Sequence, residues 1–173
     1  SPAIWDGVSE FRLDDVYYYG GFRQDEVKPS PDAMLARLGI DKVPPIVTTA
    51  VLLDAKSHLG NGKTLAAGTV IGAGDIEAML KAQGLAERGI LPGDVLYIHT
   101  GWGGDHWKDP EPEPFYYTQG PGLGYDAAKL IADKAVVLVA LDNPFTDAVN
   151  AGQLKGASGP ATGYPKGLPF AIH

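Results

Sequence analysis

Residues 93–102 read GDVLYIHTGW, and this stretch decides the fold class. Its first residues form a Gly-Asp turn, and the apolar run at 95–100 that follows predicts a buried strand. Two similar runs lie before and after it in the chain, IVTTAVLLDA at 46–55 and VVLVAL at 136–141, and they also predict strands.

Helical patterns separate these three runs. Residues 75–83 place Ile76 and Met79 on one apolar face, and residues 124–134 predict a second helix. Ahead of the first strand, a Ser-Pro-Asp start and a terminating glycine predict a short helix over 30–38. Strands that alternate with helices indicate an α/β or α+β domain.

The composition restricts the function classes. The chain has 173 residues, which suits one domain with a hydrophobic core, so we expect a single domain over 1–173. Its net charge of −7 argues against nucleic acid as a partner. No apolar run approaches the ~20 residues that span a bilayer, so no membrane partner is expected. The absence of cysteine excludes disulfides and thiolate metal sites, and leaves the compartment undecided.

Two glycine-rich segments resemble nucleotide-binding motifs only in part. Residues 57–64 (SHLGNGKT) nearly match a phosphate-binding loop, but the residues that follow have low helix propensity. Gly72-Ala73-Gly74 resembles the start of a dinucleotide fingerprint, but Glu77 stands where the third glycine belongs. We therefore interpret the first as a surface loop and the second as a turn that caps a helix.

Several potential metal ligands crowd residues 99–113, but no helical ligand spacing fixes them on one face. An isolated histidine in an apolar strand, such as His99, is more often a hydrogen-bonded core residue than a ligand. The aromatic residues suit either a core or a platform that stacks on sugars or bases. The potential ligands are His99, Asp105, His106, Asp109, Glu111 and Glu113.

Six sequence blocks, taken in order, resemble the cyclase family of metal-dependent hydrolases, which includes kynurenine formamidase and isatin hydrolase. The chain most resembles the branch with a Gln-Trp-Asp-Gly-Leu-x-His segment. The resemblance implies an α/β cyclase-like (swivelling β/β/α) fold, with a central, barrel-like mixed sheet flanked by helices. The blocks are IWDGVSE (4–10), YGGF (19–22), IVTTAVLLD (46–54), GDVLYIHTGW (93–102), PGLG (121–124) and LPFAIH (168–173).

The resemblance also implies hydrolysis of an amide, lactam or ester by water activated on a divalent metal, Mn²⁺ or Zn²⁺. Carried over by position, Asp6 matches a metal ligand, His173 matches a later ligand, and Glu10 stands where the acid/base histidine is expected. Ile4 occupies a ligand position and cannot coordinate a metal. Other ligands would fall before residue 1 and after residue 173, so we expect a chain that lacks both terminal segments.

The remaining expectations concern binding. Trp5, Tyr19 and Trp102 are predicted to contact a small-molecule substrate, and the resemblance implies a homo-oligomer. An alternative is a non-catalytic member of the same fold that has lost the metal site and binds a sugar or another small ligand. A third hypothesis is a nucleotide-binding protein, and it rests on residues 57–64 alone.

Overall fold

The computed structural model describes residues 18–108, 115–161 and 163–164. The chain divides into two compact units, Ser1–Val47 and Thr48–His173. The expectation of one domain over residues 1–173 stays a prediction. Across the described ranges, every helix is too short or too polar to cross a membrane.

The first unit is built mostly from turns. It contains 3-10 helices at Tyr19–Gly21 and Ile40–Lys42 and one helical turn, α1, at Gln24–Val27. Gly20 and Gly21 have φ of 80° and 78°, a left-handed conformation that glycine adopts readily.

The helix predicted over 30–38 is wrong, because these residues form only turns and bends. The apolar face expected for this helix is not buried: Met34 is 90% exposed and Leu35 is 51% exposed. A short helix without a buried face is unstable in water. Leu38 even adopts a left-handed φ of 59°.

The second unit centres on a three-stranded parallel sheet in the order β1-β3-β5. Its strands are Ala50–Asp54 (β1), Val95–His99 (β3) and Leu138–Leu141 (β5), within or close to the three predicted runs. The β1–β3 ladder runs from Ala50 opposite Val95 to Asp54 opposite His99. A second parallel pair joins Val70–Ile71 (β2) to Gly122–Leu123 (β4).

The helices of this unit are mostly short. The two longest are Ala73–Ala82 (α3) and Tyr125–Asp133 (α6), close to their predicted ranges. Single helical turns occur at Ala55–His58 (α2), Trp102–His106 (α4) and Phe115–Thr118 (α5).

The core lies on one face of the three-stranded sheet. Alternate strand residues, such as Leu53 and Ile98, are buried and cluster with Ile76 and Met79 of α3. The residues between them face the other way, and Leu52 and Tyr97 are exposed. Because side chains alternate across a strand, Asp54 and His99 share the face of Leu52 and Tyr97.

The sheets are parallel and open. The described strands form no closed barrel, so the barrel-like mixed sheet expected from the resemblance is not seen in this part of the chain. At the outer edge of β1, a glutamine side chain from the end of α3, rather than another strand, bonds the backbone. The coarser expectation of an α/β fold with helices and parallel strands is confirmed.

Candidate functional site

Polar side chains gather where the three parallel strands end. Asp54 and His99 are the last residues of β1 and β3, and Asp142 follows β5 directly. In open parallel α/β sheets, ligands bind beyond the carboxyl ends of the strands. The carboxyl ends of β1, β3 and β5 are therefore the candidate functional site.

Asp54 and His99 form the central pair of this site. Their register across β1 and β3 brings His99 Nδ1 to 3.1 Å from Asp54 Oδ1. Both side chains are partly open to solvent, with 40% of Asp54 and 44% of His99 exposed. When the imidazole is neutral, this contact is a hydrogen bond only if Nδ1 carries the proton, which leaves Nε2 as an acceptor.

Asp54 is also the N-cap residue of α2. Its carboxylate accepts hydrogen bonds from the Ser57 hydroxyl at 2.6 Å and from the Ser57 backbone N–H at 3.1 Å. The Ser57 hydroxyl is the main cause of a lowered Asp54 pKa, with smaller contributions from the Ser57 N–H and from His99, and it outweighs the opposing effect of burial. Asp54 is therefore ionised at neutral pH and can stabilise a positive charge on His99.

Asp142 holds the chain that leaves β3. One of its oxygens accepts from the Thr100 backbone N–H and hydroxyl, at 2.7 and 2.6 Å, and the other accepts from the Gly101 N–H at 2.8 Å. Gly101 has φ of 86°, and a Cβ there would lie 2.7 Å from the Thr64 hydroxyl oxygen. Asp142 thus has a structural role, which fixes the backbone next to His99.

A second polar group lies beside this turn. The Thr64 hydroxyl donates to the Asp105 carboxylate and helps to lower its pKa, and the positive charges of Lys56 and His106 act in the same direction. These residues come from α2, the loop after it and α4, which is the helical turn that follows Gly101.

Aromatic residues flank the same segment. Trp102 is 3% exposed, and its ring centroid lies 4.2 Å from that of His106. Trp107 and Tyr117 are 58% and 52% exposed, and both contact Tyr116 edge-on at 5.1 and 4.8 Å. The predicted substrate contact Trp102 is thus covered, while Trp107 and Tyr117 offer accessible rings.

The structure locates only some of the predicted site residues. Trp5, Asp6, Glu10 and His173 lie outside the described residues, so their predicted roles stay predictions. Tyr19 lies in the first unit, where it begins a 3-10 helix. The predicted convergence of Asp6 and His173 on one pocket also stays a prediction.

Sequence reasoning misses the Asp54–His99 pair. It interprets His99 as a hydrogen-bonded core residue, whereas His99 is hydrogen-bonded but only half-buried. A usable signal is present in the sequence, because Asp54 and His99 each stand one residue before the end of a predicted strand. If two such strands are parallel, their carboxyl ends lie side by side.

A divalent metal does not fit the residues described. Among them, no group of three histidine or acidic side chains is arranged to hold a metal ion. The Asp54–His99 pair offers two ligands, whereas a catalytic site usually has three from the protein. Three of the potential ligands in residues 99–113, Asp109, Glu111 and Glu113, fall in a stretch that is not described.

The two nucleotide-like motifs have structural roles. No helix follows Lys63-Thr64, so the phosphate-binding geometry is missing there. At the start of α3, the Gly72 N–H donates to Asp75 at 2.8 Å and the Ala73 N–H donates to Asp126 at 2.9 Å. Two carboxylates at these amides would repel a phosphate, which confirms the capping turn.

Comparison with known proteins agrees with the observed fold. A family model described as "Putative cyclase" matches residues 23–148, well over half of the chain. A crystal structure of a novel cyclase is 28% identical, with a TM-score of 0.60 over 76% of this chain. The match covers 44% of that cyclase, so this chain spans less than half of its length. A search of the curated proteins found no match. The chain belongs to the cyclase family.

Proposed function

We propose that this protein hydrolyses amide, lactam or ester bonds of small molecules. The observation that carries the proposal is the Asp54–His99 pair at the carboxyl edge of a parallel sheet, in a member of the cyclase family. A carboxylate paired with a half-exposed imidazole is suited to general acid–base chemistry.

The proposed steps use the two nitrogens of His99 differently. Nδ1–H stays bonded to Asp54, and Nε2 accepts a proton from a water molecule as that water attacks the substrate carbonyl. The imidazolium then returns the proton from Nε2 to the leaving nitrogen or oxygen as the carbonyl re-forms. Asp54 stabilises the transient positive charge without taking up the proton.

A divalent metal, Mn²⁺ or Zn²⁺, is the cofactor that the family resemblance implies, with Asp6 and His173 as proposed ligands and Glu10 as a proposed acid/base residue. The described residues do not supply a ligand set, and no step above is assigned to a metal. Metal analysis of purified protein tests this part, and Asp6→Ala should lower the bound metal if the assignment is right.

The test of the function is turnover of three substrate classes. N-formylkynurenine, isatin and a simple lactone should be incubated with the protein, with and without added Mn²⁺ or Zn²⁺. We expect the protein to hydrolyse at least one of these substrates faster than buffer alone does. No turnover under any of these conditions would contradict it.

A sugar-binding protein without catalysis is the second proposal, and the exposed rings of Trp107 and Tyr117 favour it. Accessible aromatic faces stack on apolar ligand surfaces. A glycan array should then show binding that Trp107→Ala abolishes and that Leu154→Ala, at another exposed apolar position, retains. Hydrolysis together with an empty array would reject this alternative.

We also propose that the partners are a small-molecule substrate and further copies of the chain. Sedimentation analysis should show a dimer or larger assembly at micromolar concentration. A monomer at every concentration would contradict the oligomer.

A further inference from the structure

The side chain of Gln83 makes two hydrogen bonds with the backbone of the edge strand β1. It lies just beyond α3, and its side-chain oxygen accepts from the Asp54 N–H at 2.9 Å. Its side-chain nitrogen donates to the Leu52 carbonyl at 2.7 Å. The two bonds bracket Leu53, whose side chain is fully buried.

This contact takes the place of a neighbouring strand. Among the described strands, β1 is at the edge of the β1-β3-β5 sheet, and no other described strand pairs with its outer backbone groups. In a parallel ladder, an adjacent strand would bond the carbonyl and the N–H on either side of one residue. Gln83 bonds the two corresponding groups of β1, the Leu52 carbonyl and the Asp54 N–H, where the strand ends at the candidate site.

The position of Gln83 is itself well fixed. Its backbone N–H bonds to the Met79 carbonyl at 2.9 Å, and Gly84 follows with φ of 73° and ends the helix. Met79 is fully buried in the core. The amide of Gln83 therefore projects from a rigid base onto the end of β1.

We propose that Gln83 is a positioning residue, which holds the end of β1 so that the Asp54 carboxylate stays on Nδ1 of His99. The two hydrogen bonds of the Gln83 side chain are exposed to solvent, so they contribute little to overall stability. Their main effect is on geometry, because the end of an edge strand otherwise frays. This inference rests on the proposed role of His99.

The first test is the tautomer of His99, measured by ¹⁵N NMR of the imidazole above pH about 8, where histidine side chains are usually neutral. The wild-type protein should show the Nδ1–H form. Gln83→Leu has a similar size and removes both bonds, so the Nε2–H form should appear. Gln83→Asn, which is too short to bridge both backbone groups, should act in the same direction and serves if the leucine variant aggregates.

The control is Gln153→Leu, which removes the bond that the Gln153 side chain accepts from the Asn150 N–H at 3.0 Å, in the 3-10 helix Gln153–Lys155. It should leave the tautomer unchanged. A purely structural role for Gln83 would lower stability without altering the tautomer, and that result would overturn the proposal.

Kinetics provide the second test. In the hydrolysis assay, kcat of Gln83→Leu should fall about tenfold with KM nearly constant, since only proton transfer is affected. Unchanged kcat in a hydrolytically active protein would also overturn the inference. If the wild type hydrolyses nothing, the proposed function fails, while the tautomer measurement still decides the role of Gln83.

Discussion

Replacing Asp54 with asparagine separates the charge of this residue from its hydrogen bonds. In Asp54→Asn, a side-chain oxygen placed where Oδ1 lies can still accept from the Ser57 N–H and from His99 Nδ1–H. The new amide nitrogen can donate to the Ser57 hydroxyl, which then acts as an acceptor. The variant therefore keeps the local contacts and loses only the negative charge.

The expected magnitude follows from the geometry of the pair. In the proposed reaction His99 becomes positively charged 3.1 Å from Asp54, where the Coulomb energy in a water-like dielectric is about 1.3 kcal/mol. The high dielectric applies because 40% and 44% of the two side chains are exposed. Since about 1.36 kcal/mol changes a rate tenfold, Asp54→Asn should lower kcat about tenfold. Stability should change by less than about 0.5 kcal/mol, because Asn and Asp cap helices about equally well.

The assay is the initial rate of hydrolysis of the best substrate, measured beside urea unfolding of the same preparations. Glu77→Gln is the matched control, because it removes one negative charge from an exposed position of α3. It should keep the wild-type rate. Equal rates for Asp54→Asn and the wild type, or equal losses in both variants, would refute the reasoning.

Three further predictions concern stability. The pKa of Asp94 is lowered from 3.8 to about 2, chiefly by Arg88. The stability that this carboxylate contributes is therefore present above pH 3.8 and is lost as the pH falls towards 2. The urea midpoint should fall with pH over this range in the wild type, and fall less in Asp94→Asn. Leu53 is fully buried, and Leu53→Ala should cost about 2–5 kcal/mol in urea unfolding, so a cost below about 1 kcal/mol would place Leu53 outside the core. A Cβ at Gly122 would lie 2.2 Å from a backbone carbon, whereas one at Gly104 meets nothing within 4 Å; melting temperatures should therefore fall strongly for Gly122→Ala and stay near the wild-type value for Gly104→Ala.

The three strands of the main sheet and the two long helices were predictable because local patterns specify them, whereas their parallel pairing was not predicted. The run at 95–100 corresponds to β3, Val95–His99, in which Leu96 and Ile98 are buried and Tyr97 between them is exposed. The helix predicted at 75–83 begins earlier, at Ala73, because Asp75 and Asp126 bond the N–H groups of Gly72 and Ala73. The long-range contact of Asp126 could not be read from local sequence.

The candidate site was less predictable because it depends on register. The alternation of buried and exposed residues places Asp54 and His99 on the open face, but only the pairing of β1 with β3 brings them together. Gln83 reaches the same place from a helix end 29 residues away in sequence. The helix predicted at 30–38 failed for a related reason, since capping residues and periodicity cannot supply the surface against which a helix packs.

The most direct test of the proposed chemistry is the hydrolysis rate of His99→Asn compared with that of the wild type, in the same buffer and with the same metal supplement. Removal of a general base typically costs about 10²–10⁴ in rate. We predict a loss in kcat of at least about a hundredfold, with urea unfolding nearly unchanged because the side chain is half-exposed. A His99→Asn protein that hydrolyses the substrate at the wild-type rate would contradict the proposed role of this site.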